Sequence, residues 1–260
     1  MIPASPSEDV GVAFDEVARV ATIELRRPPN NFFDLALVTV IADLVEAFER
    51  VPECGAIVLA AEGKHFCAGR DFGKPAEEGD GPEALYAQGV RLFGGTKPIV
   101  AAVNGAAVGG GFGLAMAADF RVAGPSTRFS ANFAKIGYFP GFGLTATLPL
   151  VIGRQRTLDL LYGARDIVGP AAEEVGLADR YVTEDAQLRS AAEALAEDIA
   201  ASAPLSVAGI RKVLRGDLRG HVEAATRTEL EYQLALRKSA DFVEAQTARR
   251  EKRRPRFIGR

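Results

Sequence analysis

The first part of the chain combines short strand-like runs with a helical pattern. In the segment 18–27 (ARVATIELRR) the apolar positions alternate in the manner of a β-strand, and Pro28 ends the run. Asp34 precedes apolar residues that recur every three or four positions, which predicts an N-cap and a helix. The run AIVLA at 56–60 is continuously apolar, as in a buried parallel strand. The apolar face of the predicted helix consists of Leu37, Ile41, Leu44, Val45 and Phe48.

Strands and helices continue to alternate in the middle of the chain. The sequence predicts a helix over 83–93, strands over 98–103 and 120–124, and a further helix near 154–162. A helical turn followed by one more strand is predicted within GPAAEEVGLADRYV (169–182). This order, with right-handed crossovers, is typical of an α/β core.

The pattern changes near residue 185. Apolar residues at helical spacing follow over 187–200, and the segment 204–248 contains no convincing strand pattern. The predicted fold class is therefore α/β, followed by a region that is all helical. We expect a core over residues 1–200 and a C-terminal helical region over 201–260.

The composition is that of an ordinary globular protein, with 48% hydrophobic and 25% charged residues. The net charge of −3 gives no general attraction to nucleic acid or to an anionic membrane, so neither is expected as a partner. Cys54 and Cys67 lack the spacing of a metal or redox site, which predicts buried thiols in a reducing compartment. A secretion signal has a cationic stretch followed by an apolar one, and residues 1–11 do not show this pattern. These features predict a cytoplasmic enzyme or binding protein.

Residues 103–120 (VNGAAVGGGFGLAMAADF) carry three consecutive glycines inside an apolar run. Because ordered glycine costs conformational entropy, such a run indicates a specific need for the missing side chains. A membrane helix is excluded by Asn104, by the density of glycine and by the charged residues that follow. The junction also lacks the glycine patterns of dinucleotide-binding and P-loop proteins. What remains is a strand-to-helix junction, whose unpaired N–H groups favour negative charge.

Four blocks of the sequence together resemble the crotonase (enoyl-CoA hydratase/isomerase) superfamily. HFCAGRDF (65–72) resembles the first oxyanion loop of that family, and residues 97–123, around the glycine run, resemble the second. Residues 137–167 resemble its substrate-loop segment, and EKRRPRFIGR (251–260) resembles its C-terminal signature. The resemblance implies a ββα spiral core followed by a C-terminal helical region that forms a trimer interface.

By this resemblance, the backbone N–H groups of Ala68 and Gly110 are the catalytic donors of an oxyanion hole. They would stabilise the negative charge that a thioester carbonyl oxygen gains in an enolate or tetrahedral intermediate. Losing one such donor typically costs ~10²–10³ in rate. Glycine would let the thioester approach the backbone closely. Close packing of the helix on the sheet is the alternative explanation for the glycine run.

The two glutamates of the resembling hydratases are absent from this chain. Their positions hold Gly113 and Phe133, neither of which can transfer a proton. A third position, an aspartate in related isomerases and dehalogenases, holds Gly141. Between residues 99 and 150 Asp119 is the only carboxylate, and we expect it to be structural. Because an acid or base typically contributes ~10²–10⁴ in rate, a poor hydratase is expected.

The resemblance also implies contacts with CoA. The adenine end would meet backbone near Phe66 and Ala68, and Arg27 would lie near the 3′-phosphate. Basic and aromatic tail residues of a neighbouring subunit would border the site. Arg70 could meet a substrate carboxylate or a CoA phosphate, or it could point to water. The predicted substrate and CoA contacts are Arg27, Phe66, Ala68, Gly69, Arg70, Asp71, Gly110, Phe142, Lys252 and Phe257.

For the other candidate residues, a structural role explains their presence at least as well as a functional role does. Tyr138 lies in the substrate segment but is expected to pack, and His65 and His221 are expected to be structural. The acidic residues of the Gly/Pro-rich stretch could reach the pocket or remain in solvent; they are Glu77, Glu78, Asp80 and Glu83.

Two functional hypotheses follow from these observations. The first is an acyl-CoA thioester enzyme of the enoyl-CoA hydratase/isomerase type that lacks both hydratase glutamates. The second is a non-catalytic acyl-CoA-binding protein, or a variant enzyme such as a thioester hydrolase or decarboxylase. In either case we expect no metal, no cofactor beyond the CoA moiety of the substrate, and a homotrimer or a dimer of trimers.

Overall fold

The computed structural model describes residues 2–71 and 81–260, and the structure in these ranges is α/β with its helices concentrated at the C-terminal end. The strands are β1 (Val10–Asp15), β2 (Val20–Leu25), β3 (Ala56–Ala61), β4 (Ile99–Val103), β5 (Ala106–Val108), β6 (Phe120–Ala123), β7 (Arg128–Ser130), β8 (Asp166–Val168) and β9 (Arg180–Tyr181). The helices are α1 (Leu35–Glu49), α2 (Pro82–Arg91), α3 (Gly110–Ala117), α4 (Leu144–Gly163), α5 (Gly169–Glu174), α6 (Leu188–Ala200), α7 (Pro204–Arg215), α8 (Leu218–Leu236) and α9 (Ala240–Arg250).

The strands form two sheets that meet near the glycine run. In the larger sheet the order is β1-β2-β3-β4-β6-β9; β1 is antiparallel to β2 and the remaining pairs are parallel. In the smaller sheet β5 pairs with β7 in parallel, and β7 pairs with β8 antiparallel. An isolated bridge joins Cys67 to Ala107, so the 65–71 loop runs directly beside β5.

The two faces of the larger sheet are buried against different partners. Along β3, Val58 and Ala60 face α6, whereas Ile57 and Leu59 face the main hydrophobic core. Successive side chains of a strand point to opposite faces, so a continuously apolar strand is the expected result of burial on both sides. The side chains of α6 on this contact are small: three alanines follow Leu188 among its buried residues.

Helix α8 joins the C-terminal region to the core through a buried carboxylate. Glu229 is 1% exposed, and it accepts hydrogen bonds from Gly143 N (2.9 Å), Thr145 N (3.0 Å) and Thr145 Oγ1 (2.6 Å). These donors stand at the start of α4, where a helix has unpaired N–H groups and favours negative charge. Glu229 therefore fixes the start of α4 against α8. The division into residues 1–200 and 201–260 stays a prediction.

Several predicted elements are confirmed, and the short strands account for most differences between the predicted and the observed elements. Asp34 is the N-cap of α1, and its side chain accepts from Leu37 N at 2.9 Å. Asp119 is structural: it accepts from Ile99 N and pairs with Arg211 and Arg215. The glycine run was expected to follow β4 directly, but β5 intervenes, and α4 begins at Leu144 instead of near 154. Three-residue strands such as β5, β7 and β8 are too short to show a period in the sequence.

Candidate active site

The glycines before and inside α3 allow close packing on the neighbouring loop. A side chain at Gly111 would overlap the carbonyl oxygen of Cys67 and lie 2.7 Å from its carbonyl carbon. A side chain at Gly110 would overlap the ring of Phe33. Gly109 precedes the helix with φ +55°, a left-handed conformation that favours glycine. Gly110 and Gly111 therefore permit close packing against Phe33 and Cys67, which lie outside the strands, and the predicted packing of the helix on the sheet stays untested.

The same packing leaves the N–H group of Gly110 at the surface of a cavity. Gly110 is the first residue of α3, so its N–H has no partner within the helix, and residues 2–71 and 81–260 supply no other acceptor for it. The positive end of the helix adds to the attraction for negative charge. This wall of the cavity suits a developing oxyanion.

The second predicted donor, Ala68, requires a correction. The Ala68 N–H donates to the carbonyl of Asn30 at 2.9 Å, so it already has an acceptor and does not serve an oxyanion. The next N–H, that of Gly69, is directed at the sulfur of Cys67, whose pKa burial raises to about 12. Gly69 itself has φ +78°, and a side chain there would lie 3.4 Å from Gly110 N. The loop thus turns toward Gly110 at Gly69 and Arg70.

The cavity between these elements has a volume of about 250 Å³. One side consists of the backbone of residues 68–70 and 108–110, and apolar side chains including Phe33, Leu85 and Phe133 extend from it. None of the described residues that line it is a carboxylate. The polar side chains on its walls are Arg70, Tyr86, Asn132, Tyr138, Gln233, Arg237 and Arg249.

Position 113 is closed to any larger side chain by Phe142. A side chain at Gly113 would lie 2.5 Å from Phe142 Cβ and 2.9 Å from its carbonyl oxygen. Phe142 is 1% exposed and has φ +59°, and its ring lies between those of Phe33 (5.5 Å) and Tyr86 (6.4 Å, centroid to centroid). Phe142 was predicted to contact substrate, but the structure buries it behind the cavity wall. The second hydratase position, Phe133, does line the cavity.

Position 141 is closed in a similar way by polar groups. A side chain at Gly141 would overlap Tyr86 Oη and lie 2.5 Å from Gln233 Nε2. Tyr86 Oη donates to Gln233 Oε1 at 2.8 Å, and Tyr138 Oη donates to the same oxygen at 3.2 Å. Arg237 Nε donates to Tyr138 Oη at 3.1 Å. We call these four residues, Tyr86, Tyr138, Gln233 and Arg237, the polar network.

Burial favours the protonated form of the two tyrosines in this network. It raises the pKa of Tyr86 and that of Tyr138 above the usual tyrosine range. Both phenols are therefore neutral donors near neutral pH, and Gln233 Oε1 receives both protons. Sequence reasoning missed Tyr86, Gln233 and Arg237 because their contacts join positions up to 147 residues apart. For Tyr138 the sequence predicts packing, and the structure adds its hydrogen bonds with Gln233 and Arg237.

The remaining predicted contacts lie away from the cavity. Arg27 pairs with Asp9 (2.8 Å) and Asp34 (2.6 Å) in a neighbouring groove, so carboxylates of the chain already balance its charge. Phe66 is fully buried, and its N–H donates to the carbonyl of Asn104. Asp71 ends the first described range, and its predicted contact stays untested.

The basic tail folds back along α9. Ile258 N and Gly259 N donate to Asp241, and Arg256 N donates to Glu244. Lys252 and Phe257 do not line the cavity of their own chain, and their predicted role in a neighbouring subunit stays a prediction. Of the acidic candidates, Glu77, Glu78 and Asp80 lie outside the described residues, and Glu83 is in the first turn of α2.

His65 is structural, because its Nδ1 accepts from Ala106 N at 3.1 Å. Over residues 2–71 and 81–260, no group of three or more His, Cys, Asp or Glu side chains is placed to ligate a metal ion. In the same ranges, none of the helices combines the length and hydrophobicity that a membrane span requires.

Comparison with known proteins finds relatives that match nearly the whole chain. The sequence model of the family described as Enoyl-CoA hydratase/isomerase matches residues 15–260. Carnitinyl-CoA dehydratase of Citrobacter koseri is 33% identical over 251 residues, covering 93% of this chain and 95% of that protein. Probable enoyl-CoA hydratase echA6 of Mycobacterium bovis is 33% identical, covering 95% and 99%.

Solved structures extend the likeness to the whole fold. The enoyl-CoA hydratase/isomerase of Pseudoalteromonas atlantica superposes with a TM-score of 0.87 at 30% identity, covering 96% of this chain and all (100%) of that one. Carnitinyl-CoA hydratase of Mycobacterium avium gives 0.85 at 31% identity, covering 98% and 100%. The predicted α/β fold with C-terminal helices is confirmed.

Proposed function

This chain belongs to the enoyl-CoA hydratase/isomerase family of the crotonase superfamily, and on that premise we propose that it is an acyl-CoA thioester enzyme. The observation that carries the proposal is the Gly110 N–H, which opens α3 at the cavity surface. A thioester carbonyl placed there would accept a hydrogen bond from a fixed donor at a positive helix end.

We assign the second oxyanion donor to the backbone N–H of Arg70 in place of Ala68. Arg70 follows the left-handed turn at Gly69 and lines the cavity beside Gly110. Two donors from separate elements define one oxygen position, which is what charge stabilisation in a transition state requires. The donors are backbone groups and carry no proton to the substrate.

The proposed reaction does not include hydration of a double bond. Positions 113, 133 and 141 hold no acid or base, and neighbouring side chains fill the space at two of them. The test is loss of enoyl-thioester absorbance with crotonyl-CoA, paired with calorimetric titration of the same ligand. Binding without hydration is expected. Hydration at ordinary enzyme rates would contradict this assignment, and failure of every acyl-CoA to bind would overturn the proposal.

The oxyanion donors can be tested without turnover. Binding should lower the stretching frequency of the thioester carbonyl in the infrared spectrum, because hydrogen bonds polarise the C=O group. A thioether analogue that lacks the carbonyl is the matched ligand control and should bind more weakly. An unshifted carbonyl band in a saturated complex would place the thioester elsewhere.

A non-catalytic acyl-CoA-binding protein is the second candidate. The filled positions at 113 and 141 favour it, because they remove proton-transfer groups and leave the cavity intact. Mass spectrometry of a panel of acyl-CoA thioesters incubated with the protein separates the two. Conversion of any member supports the enzyme, and recovery of every thioester unchanged from a complex with a shifted carbonyl band supports the binding protein.

The proposal includes a homotrimer or a dimer of trimers. Helix α7 exposes Leu205 (90%), Val213 (79%) and Leu214 (81%), apolar side chains whose exposure indicates a protein contact. A neighbouring subunit's tail, with Lys252 and Phe257, would then border the CoA site. Light scattering coupled to size-exclusion chromatography measures the oligomeric state, and a monomer at all concentrations would refute the proposed trimer.

We further propose a cytoplasmic location and no cofactor beyond the CoA moiety of the substrate. Cys54 and Cys67 are free and buried, as suits a reducing compartment. Backbone donors need no metal to stabilise an oxyanion. Acyl-CoA binding should therefore be unchanged by a metal chelator.

A further inference from the structure

Two arginines that line the cavity have no carboxylate partner among the residues that the structure describes. Arg237 and Arg249 line it, and none of the carboxylates in the described ranges forms an ion pair with either. Elsewhere the well-buried arginines have carboxylate partners. They are Arg91 with Asp43 and Glu46, Arg121 with Asp179, and both Arg211 and Arg215 with Asp119.

Arg237 is held in a fixed orientation by the polar network. Its Nε donates to Tyr138 Oη, and its guanidinium carbon lies 5.7 Å from the centre of the Tyr138 ring. Tyr138 in turn donates to Gln233, whose side-chain amide donates to the carbonyls of Phe139 and Pro140 at 3.1 Å. The guanidinium is therefore anchored through one nitrogen.

The rest of the network has no proton left for a ligand. Tyr86 and Tyr138 both donate to Gln233 Oε1, and the Gln233 amide is committed to backbone carbonyls. The two terminal nitrogens of Arg237 have no acceptor within residues 2–71 and 81–260. They are the donors that this wall offers to a bound molecule, and their fork matches the two oxygens of a carboxylate.

We propose that the acyl group bound in this cavity ends in a carboxylate that pairs with Arg237, so that the ligand is the CoA monothioester of a short dicarboxylic acid. The inference rests on the proposed function. A half-buried cation beside apolar walls is stabilised by an anion that shares its cavity. The volume of about 250 Å³ is below the range of sites for drug-sized ligands, which favours a short chain.

The experiment is calorimetric titration with four ligands: glutaryl-CoA, its terminal amide glutaramyl-CoA, hexanoyl-CoA and free CoA. Glutaryl-CoA should bind about tenfold to a hundredfold more tightly than the amide, as a charge-assisted hydrogen-bonded pair provides. In a separate titration, a fifth ligand, an acyl-CoA that ends in a trimethylammonium group, should bind more weakly than hexanoyl-CoA, because the cavity repels a cation.

Variants test whether Arg237 causes the preference for glutaryl-CoA over its amide. Arg237→Gln should remove the advantage of glutaryl-CoA and leave the affinity for the amide unchanged, whereas Arg237→Lys should retain part of it. Arg227→Gln, on the exposed face of the same helix, is the matched control and should change neither. Tyr138→Phe keeps the arginine but removes its acceptor, and should lower the preference about threefold to tenfold. Circular dichroism and thermal unfolding check that each variant is folded.

Each result has a distinct meaning. Equal affinity for glutaryl-CoA and its amide overturns the carboxylate and leaves the acyl-CoA function standing. A loss on Arg237→Gln that is the same for all four ligands, free CoA included, shows that the arginine meets a CoA phosphate and also overturns it. If no CoA ligand binds the wild-type protein, the proposed function itself fails.

Discussion

The two walls of the cavity are built by different means. On one side, backbone groups of residues 68–70 and 108–110 lie close together because Gly69 and Gly110 permit contacts that a side chain would block. On the other side, the polar network fills the space with side chains from α2, α8 and the segment before α4. The first side, the backbone wall, can stabilise charge on an oxygen, and the second side, the selective wall formed by the polar network, can select what is attached to that oxygen. Stabilisation and selection are therefore separable in this protein.

The largest expected effect is on the backbone wall. Gly111→Ala would place a methyl group against the carbonyl of Cys67, where neither backbone can move freely. We expect a loss of more than about 4 kcal/mol in unfolding free energy, or no folded protein. Urea denaturation measures it. Ala194→Gly on the exposed face of α6 is the control, and it should cost only about 0.5–1 kcal/mol, the difference in helix propensity between the two residues.

The contact between Gly113 and Phe142 gives the next largest effect and tests whether the two residues compete for one space. Phe142→Ala should cost about 3–5 kcal/mol, because it leaves a cavity in a fully packed region. Gly113→Ala alone should cost about 1–3 kcal/mol by overpacking, but less in a Phe142→Gly background, because the nearest atom is the Phe142 Cβ at 2.5 Å, which alanine keeps and glycine lacks. A double-mutant cycle of urea unfolding measures the coupling, and strictly additive effects would show that the two positions do not compete for one space.

The selective wall should depend on the Gln233 acceptor. Gln233→Leu leaves the hydroxyl groups of Tyr86 and Tyr138 without their shared partner in a buried setting. We expect a loss of about 2–3 kcal/mol in unfolding free energy. Adding Tyr86→Phe to this variant should recover part of the loss, since one orphaned donor is then removed. Failure to recover any stability would indicate that water replaces the amide.

The smallest effect is the response of the selective wall to alkaline pH. Because burial raises the pKa of Tyr86 and Tyr138 in the folded state, the unfolded chain loses these protons first, near the ordinary value of 10.0. The stabilisation is therefore complete below pH 10 and is lost as the pH rises toward the folded-state pKa. Thermal unfolding between pH 8 and pH 11 should show the decline, and Tyr86→Phe with Tyr138→Phe should make it shallower.

Local patterns in the sequence predict the scaffold and the backbone wall. The Asp34 cap, the buried strand at 56–60 and the glycine junction all follow from spacing over a few residues. The resemblance of four sequence blocks predicts the fold, but it does not say which peptide N–H of the AGRD turn faces the cavity. That choice depends on the Asn30 carbonyl, which accepts from Ala68 and lies on another segment.

The selective wall was not predictable in the same way. The sequence indicates that acids and bases are missing at 113, 133 and 141, but not what occupies their space. Phe142 fills one position through a left-handed backbone, and Tyr86 and Gln233 fill another from helices far apart in the chain. Such contacts are set by tertiary packing, which no local period records.

Glu229 and Gln233 couple the position of α8 to the position of the loop that precedes α4. They are four residues apart on α8 and so lie on one face of that helix, one turn from each other. Glu229 is tied to the first turn of α4, and Gln233 is tied to two tyrosines and to the carbonyls of Phe139 and Pro140. Helix α8 is thus joined by hydrogen bonds to both ends of the loop that carries Gly141 and Phe142. A tilt of α8 would displace both ends of that loop together, so the geometry of the loop and the shape of the cavity would change in concert.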